Sequence, residues 1–572
     1  MLKNTLLILT VGVSFVLSRT INFRVISFGE KVQVQIVNGK AYNLKRDNSG
    51  DPNEILFTKK VKNLPQDVFQ YYYIVDGKRE NFERSTGPRT TRTYIEFYGR
   101  NDSYKSLKQF SYPDNHWNRS IGKTELFDDS YIPTVHISGN TAESLFANPK
   151  VQYYHLERVT FYLKNEAKVA KNVRADPKNR NFAKFQIKMK LNESESLYGR
   201  YLLKLRNGGE DPTNLRQFIY GNMIQAVGIP SIHSIMVRLY YNKKPMGLYT
   251  LQEEAYSDSF IKSEFYGNST SLSINAPTPL GLTLDGTTGA DFEYYPNNLD
   301  YYEPFDLKIG TEEDKKNKLV AFCGAISKLN TKNARQVKQF EKEWFDINTF
   351  HKAMAIEYLT ADWDGYWYST SNFAIYEDPT QATKNTRKFY YITQDHDETF
   401  GVGLESPYNT DGKNHPKNSY KTLIRDTWHL SEDDALHRTL VDKFIASSPD
   451  LQKRFEKTLI SVVQNIFNPV TFREVVSSYY TRYQPEMEWD FSFKRTYVPS
   501  KKMAKNTPVY TYSDFVTNMQ KGVDGLDWGL YEWVSLRAEA VKKEFCFTWK
   551  GDKNPPKCTR NYHDYYKKKR EK

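Results

Sequence analysis

Two short apolar runs, "NFAIY" at 372–376 and "KFYYIT" at 388–393, are bracketed by carboxylates and separated by the turn-rich "EDPTQATKNTR". Runs of this length and composition, bounded by turn residues, read as the two strands of a hairpin that belongs in a core. Burying the strands draws their flanks inward too. The surrounding stretches, "ADWDGYWYSTSNFAIYED" and "YYITQDHDETFG", therefore place Asp362, Asp364, Asn372, Asp395 and Asp397 beside apolar surroundings. With regular antiparallel pairing Asn372 faces about Thr393, and Asp395 emerges at the same open end. Asp364, Asn372 and Asp395 can then meet although they are far apart in sequence. Hard cations such as Mg²⁺ take oxygen ligands of this kind and leave positions for phosphate and water. Phosphoryl transfer asks for one carboxylate to take a hydroxyl proton, plus a carboxylate and an amide to hold metal. An EF-hand is excluded, because the twelfth position counted from Asp362 is Phe373. Capping of turns by the same side chains stays open as a purely structural role.

Other segments set the architecture around this hairpin. "DINTFHKAMAIEYLTAD" predicts a helix capped by Asp346, with Ile347, Phe350, Met354 and Tyr358 on one stripe. "DPTNLRQFIYGNMIQAVGIP" predicts a second, with Asp211 as cap, Pro212 in the first turn, and Gly228 with Pro230 ending it. "SIMVRLYYNKKPMGLYTLQEE" reads as a hairpin turning at Asn242–Pro245. From Ile21 to about Arg84, short alternating runs divided at Asn38-Gly39 and Asp76-Gly77 predict a small β-sandwich. The expected order is a signal peptide at 1–18, the sandwich at 19–85 and an extended linker at 86–149. A large domain at 150–545, helical from about 405, and a basic tail at 546–572 complete it. Residues 273–312 show no sustained period and read as a functional or mobile loop.

The N-terminus fixes the compartment. "MLKNTLLILTVGVSFVLS" joins Lys3, an apolar run and the small residues Val16 and Ser18, as a secretory signal cleaved after Ser18 does. No later segment is long and apolar enough to span a bilayer, and the charged C-terminus excludes a GPI anchor. Asn101, Asn118, Asn192 and Asn268 begin glycosylation sequons. Cys546 and Cys558 are placed to close one loop, and Cys323 reads as a buried thiol. The net charge of +13 is spread thinly, densest in "NYHDYYKKKREK", which reads as a solvated end and not a nucleic-acid arm.

Four blocks together resemble the CotH family: "GRYLLKLRNGGEDPTNLRQFIYGNMIQAVGIP", "VRLYYNKKPMGLYTLQEE", "YLTADWDGYWYSTSNFAIYEDP" and "KFYYITQDHDETFG". Its members are spore-coat protein kinases in bacteria and secreted or surface proteins in fungi. The resemblance runs from about 150 to 545, and the preceding β module looks like the N-terminal module of fungal members. It implies an α+β, atypical protein-kinase-like fold that uses ATP with Mg²⁺ or Mn²⁺ on Ser/Thr of a secreted or coat protein. Carried over, Asp364 matches the catalytic Asp, and Asn372 and Asp395 match the metal-holding positions, with Asp397 the alternative to Asp395. Glu253 matches the acidic residue that orients a phosphate-binding cation. That cation is Lys204 or Arg206, with Arg216, Lys188 and Lys190 in reserve. The chain departs from conventional kinases: it has no Gly-rich loop, no V-A-I-K strand and no H-R-D triplet, and "GG" at 208–209 reads as a turn. Asp395-His396-Asp397 stands where Asp-Phe-Gly would, with His396 expected at a turn or in solvent. The competing expectation is a surface invasin or adhesin that binds a host-cell receptor on an inactive kinase-like fold. In some fungal members an exposed segment equivalent to 273–312 serves as the ligand, and this chain is only loosely similar there.

Overall fold

The computed structural model describes residues 18–48, 51–114, 116–425 and 438–557. The expected signal peptide, apart from Ser18, and the basic run from Arg560 lie outside them. Cys546 is disulfide-bonded, and its expected partner Cys558 also lies outside the described residues. Cys323 is a buried free thiol. The chain divides into two compact units, one reaching Tyr104 together with Tyr162–Ala167, the other comprising Lys105–Phe161 and everything from Lys168.

In the first unit, Ser18–Ile26 pairs with Leu56–Pro65 in one sheet, while Val32–Ile36 pairs with Gln70–Val75 in another. Period-2 alternation sends Ile21, Phe23, Val25, Val34, Tyr71 and Tyr73 into one core. Tyr72, between the two buried tyrosines, points the other way and lies 3.8 Å beneath Arg79.

In the second unit, seven strands among the described residues close a barrel. They are β1 (Thr134–Ser138), β2 (Tyr154–Tyr162), β3 (Ala167–Lys178), β4 (Gln186–Lys190), β5 (Leu202–Arg206), β6 (Ser234–Tyr241) and β7 (Lys244–Glu253). Their order is β1-β2-β3-β4-β5-β7-β6, and β1 pairs in parallel with β6. The β6–β7 turn has both Asn242 (φ 43°) and Lys243 (φ 67°) in the left-handed region, the twist a two-residue hairpin demands. The segment expected as a linker over 86–149 thus supplies β1 and, after it, the helix Asn140–Ala147.

Helix α1 (Arg216–Val227) starts later than expected, yet Asp211 still anchors it. Its carboxylate accepts from the Leu215 and Arg216 amides at 2.9 and 2.8 Å and pairs with the Arg216 guanidinium. Gly208 has φ 62°, and a Cβ there would collide with Asn214, so the chain needs a glycine at this position before α1.

A second sheet runs in the order β9-β8-β10-β11, from β8 (Thr283–Gly286), β9 (Phe305–Ile309), β10 (Phe373–Asp378) and β11 (Lys388–Thr393). The hairpin β10–β11 forms as expected but one residue out of register, with Phe373 opposite Thr393 and Gln394 N donating to Asn372 O. Residues 273–312 do not form one long loop: β8 and β9 lie within them and join this sheet. Helix α2 (Ile347–Thr360) precedes β10 and is capped by Asp346, which accepts from Thr349 N at 2.9 Å. Its buried Lys352 caps the far end of α1 by donating to Val227 O at 2.7 Å. Helices then dominate from Pro449 to Phe545, consistent with a mixed α+β chain.

Candidate functional site

Register decides what reaches the site. On β5, Leu203 and Leu205 are fully buried opposite Met189 and Ile187 of β4, so Lys204 and Arg206 occupy the other face. Lys204 pairs across β7 with Gln252, which puts Glu254 on its side of the sheet and Glu253 on the opposite one. Glu253 accordingly accepts from Arg200 Nε at 2.7 Å and from the His233 amide at 3.1 Å, all in the buried interior. Glu253 also borders the site cavity, but its carboxylate turns to Arg200 and pairs with neither Lys204 nor Arg206. Glu254 stands nearer, 3.8 Å from Lys204 and 3.6 Å from Lys188. Arg216 is consumed by Asp211 and Asn518.

The open ends of β10 and β11 complete the site. Asn372 (φ 49°) and Asp395 (φ 59°) both adopt the left-handed conformation that Asn and Asp tolerate best. The Asn372 Nδ2 donates to the carboxylate and the carbonyl of Asp364, which leaves its Oδ1 without a partner among the described residues. Arg206, buried, places Nη1 against Asp395 Oδ1 and Nη2 2.6 Å from Asp397 Oδ2. Asp364, Asn372 and Asp395 are thus brought together, with Arg206 between the two aspartates of the second block.

His396 is not solvent-facing. Its ring lies buried, 3.7 Å from the Tyr220 ring and parallel to it, with Nδ1 3.0 Å from Asp362 Oδ2. Its amide donates to Gln217 of α1 at 2.6 Å. Burial drives the imidazole down to about 3 and raises the Asp362 carboxyl well above its ordinary range.

Lys204, Arg206, Asp285, Asn372, Gln394 and Asp395 line a cavity of about 270 Å³. Asp285, on β8, accepts from Gln394 at 2.6 Å and pairs with Lys308 at 3.2 Å. Burial, then the charges of Asp362 and Asp395, push Asp364 up to about 7. Burial and neighbouring carboxylates likewise raise Glu210 to about 7 and Glu398 to about 9. Burial works to raise Asp395, but Arg206 and then Lys204 outweigh it and hold that carboxyl below its ordinary range, while burial raises Asp397.

A model of the CotH kinase protein family matches residues 177–527, more than half of the chain. The chain belongs to the CotH family. It is 31% identical to invasin CotH2 of Rhizopus delemar over 541 residues, which are 91% of this chain and 85% of that protein. Invasin CotH3 of the same fungus is 30% identical over 83% of this chain and 77% of its own length. The fungus's spore coat protein homolog 1 is 28% identical over 95% and 84%.

Within this CotH-family site, among the described residues no three carboxylate, imidazole or thiol groups stand close enough to hold a metal by themselves. The donor chemistry nonetheless fits a hard cation. Asn372 Oδ1 is free and Asp395, whose Oδ1 is ion-paired with Arg206, brings a carboxylate to the same cavity, so both residues present oxygen donors there. Sequence reasoning missed Glu254, Asp285, Glu210 and Glu398. For Glu254 the signal was there: strand parity relative to Lys204 puts it, and not Glu253, on the site's face.

Proposed function

We propose that this protein is a CotH-type atypical protein kinase of the secretory pathway. It moves the γ-phosphoryl group of ATP, with Mg²⁺ or Mn²⁺, onto Ser or Thr of a secreted or coat protein. The observation that carries this reading is the meeting of Asp364, Asn372, Asp395 and Arg206 beside a cavity that Lys204 lines. An adhesive role alone does not require that set. The barrel with α1 and the helical region would then act as the two lobes of a kinase-like fold.

Each residue has a distinct task in this reaction. A carboxyl raised to about 7, as Asp364 is, exists in part as a base near neutral pH and is strong enough there to take a hydroxyl proton. Asn372 fixes its orientation. Lys204, held only loosely by Glu254 at 3.8 Å, is free to turn toward phosphate oxygens, whereas Arg206 is committed to two aspartates and positions them. Asn372 Oδ1 and Asp395 would hold the metal ion, which would supply positive charge to offset that of the phosphates.

The test is incorporation of labelled phosphate from ATP by the purified chain, alongside Asp364→Asn and Asp395→Asn. Both substitutions should abolish incorporation while circular dichroism stays native. No incorporation, with no thermal shift on adding ATP and Mg²⁺ or Mn²⁺, sinks the kinase reading. The second reading would then stand: a secreted or surface binding protein, favoured by the similarity to proteins named invasins over 91% of the chain. Retained binding of the chain to host cells after Asp364→Asn would support it.

A further inference from the structure

The charged face of β3–β5 continues past the candidate site. Register lines up Arg174, Asp176 and Lys178 of β3 with Lys190, Lys188 and Gln186 of β4, and Lys188 with Lys204 of β5. Two like-charge pairs, Arg174 opposite Lys190 and Lys188 opposite Lys204, therefore stand directly across from each other. Such pairs destabilise a sheet, and nothing in the folding of the barrel requires them.

These residues, with Tyr153, Tyr256 and Lys308, line an open trough of about 600 Å³. It shares Lys204, Glu254 and Tyr256 with the site cavity. Arg174, Lys178, Lys188, Lys190, Lys204 and Lys308 face only Asp176 and Glu254 within it. Asp176 is taken by Lys178 at 2.9 Å, and Glu254 is shared between Lys188 and Lys204. Arg174 lies over the Tyr153 ring, and neither it nor Lys190 has an acidic partner among the described residues.

We propose that this trough docks the phosphoacceptor as an extended acidic peptide, so that Ser or Thr flanked by Asp and Glu is the preferred substrate; this rests on the kinase reading. Strands about 4.8 Å apart make the face about 10 Å wide, and Arg174 to Lys178 covers about 13 Å along β3. An extended peptide of about four residues fits that length. The trough is lined mainly by charge, with exposed Arg174, Lys178 and Lys190, which suits a solvated carboxylate-bearing chain better than a buried base. The trough adjoins the site cavity through Lys204, Glu254 and Tyr256, so acidic side chains held in the trough direct the acceptor hydroxyl toward that cavity. In the transfer, the hydroxyl oxygen forms a bond to Pγ, the bond from Pγ to the β–γ bridging oxygen breaks to release ADP, and the proton passes to Asp364.

The experiment compares peptides carrying one Ser flanked by Glu, by Ala or by Lys, on the full chain and on Arg174→Glu and Lys190→Glu. Neither substitution removes an ion pair, so both variants should fold. Anisotropy of a labelled Glu-flanked peptide is followed without ATP, at low and high salt. The Glu-flanked peptide should show a KM at least tenfold below the Ala-flanked one, and each charge reversal should erase that preference with the KM for ATP unchanged. Its binding should weaken with salt. Equal KM values for the Glu- and Ala-flanked peptides overturn the proposal, and so does a raised ATP KM in the variants, which would give the trough to the nucleotide. If no peptide is phosphorylated, the kinase reading has failed. Anisotropy then decides the trough alone: binding lost on charge reversal supports acidic docking, and absence of binding overturns it.

Discussion

At Arg206 one buried guanidinium faces two carboxylates, Asp395 and Asp397, on a segment that also packs against α1. Removing one member of such a group leaves charge buried without compensation, which costs about 3–5 kcal/mol. Arg206→Met should therefore lower unfolding stability by about that much in urea titrations, and adding Asp397→Asn should recover part of the loss. A change under about 1 kcal/mol would mean that the aspartates find water or another cation instead. Much at this scale was legible: Lys204 and Arg206 share a face because they are two apart on one strand, and Asp364, Asn372 and Asp395 converge because two strands end together. For Glu253 the match of blocks gave its position along the chain and not its side of the sheet. Only pairing with Leu203 reveals that side. Asp285 carried no signal, since its four-residue strand is too short to display a period.

At the scale of elements, α2 delivers the chain to Asp364 and depends on its first turn. Asp346 accepts from Thr349 N and stands 3.3 Å from Lys388 of β11, so one carboxylate ties the helix start to the hairpin. Asp346→Ala should cost about 1–2 kcal/mol, at the upper part of the range for a lost cap because the ion pair goes with it. Asp346→Asn keeps the cap acceptor and should lose less than half as much; equal losses in denaturant titrations would reject the cap as the cause. This helix was readable because cap, stripe and stop agree. The α1 start was not, because Asp211 satisfies the first amides from outside the helix, a geometry that spacing alone does not distinguish from an ordinary cap. The register of β10 on β11 is the same from Asp378 opposite Lys388 to Phe373 opposite Thr393, so the loop between the strands sets it, and periodicity does not reveal that loop's geometry.

Across the second unit, burial of neutral histidines ties stability to pH. His351, within α2, sets Nε2 2.7 Å from Phe444 O while its buried Nδ1 has no partner, so a second ring proton would find no acceptor. Its imidazole is pushed from 6.5 to about 3, by burial first and then by Arg454. His415, 3.2 Å from the Tyr368 hydroxyl, falls to about 3 through burial and Arg537. Below about 6.5 the unfolded chain binds protons that the fold refuses until about 3. The unfolded state then holds more protons, and stability falls as pH falls. Each site contributes about 1.4 kcal/mol per pH unit across that window, so the pair should remove a few kcal/mol between pH 6.5 and 4.5. Gln can still donate to Phe444 O but does not titrate. His351→Gln should therefore flatten the acid limb of the stability profile by about a third, since buried His396 is also held at about 3, and adding His415→Gln should flatten it further. Urea midpoints for the unit containing α2, measured at half-unit intervals of pH, read this directly. An unchanged slope in the double variant would assign acid lability to the carboxylate pairs of the site, which lose their attraction for Arg206 as they take up protons.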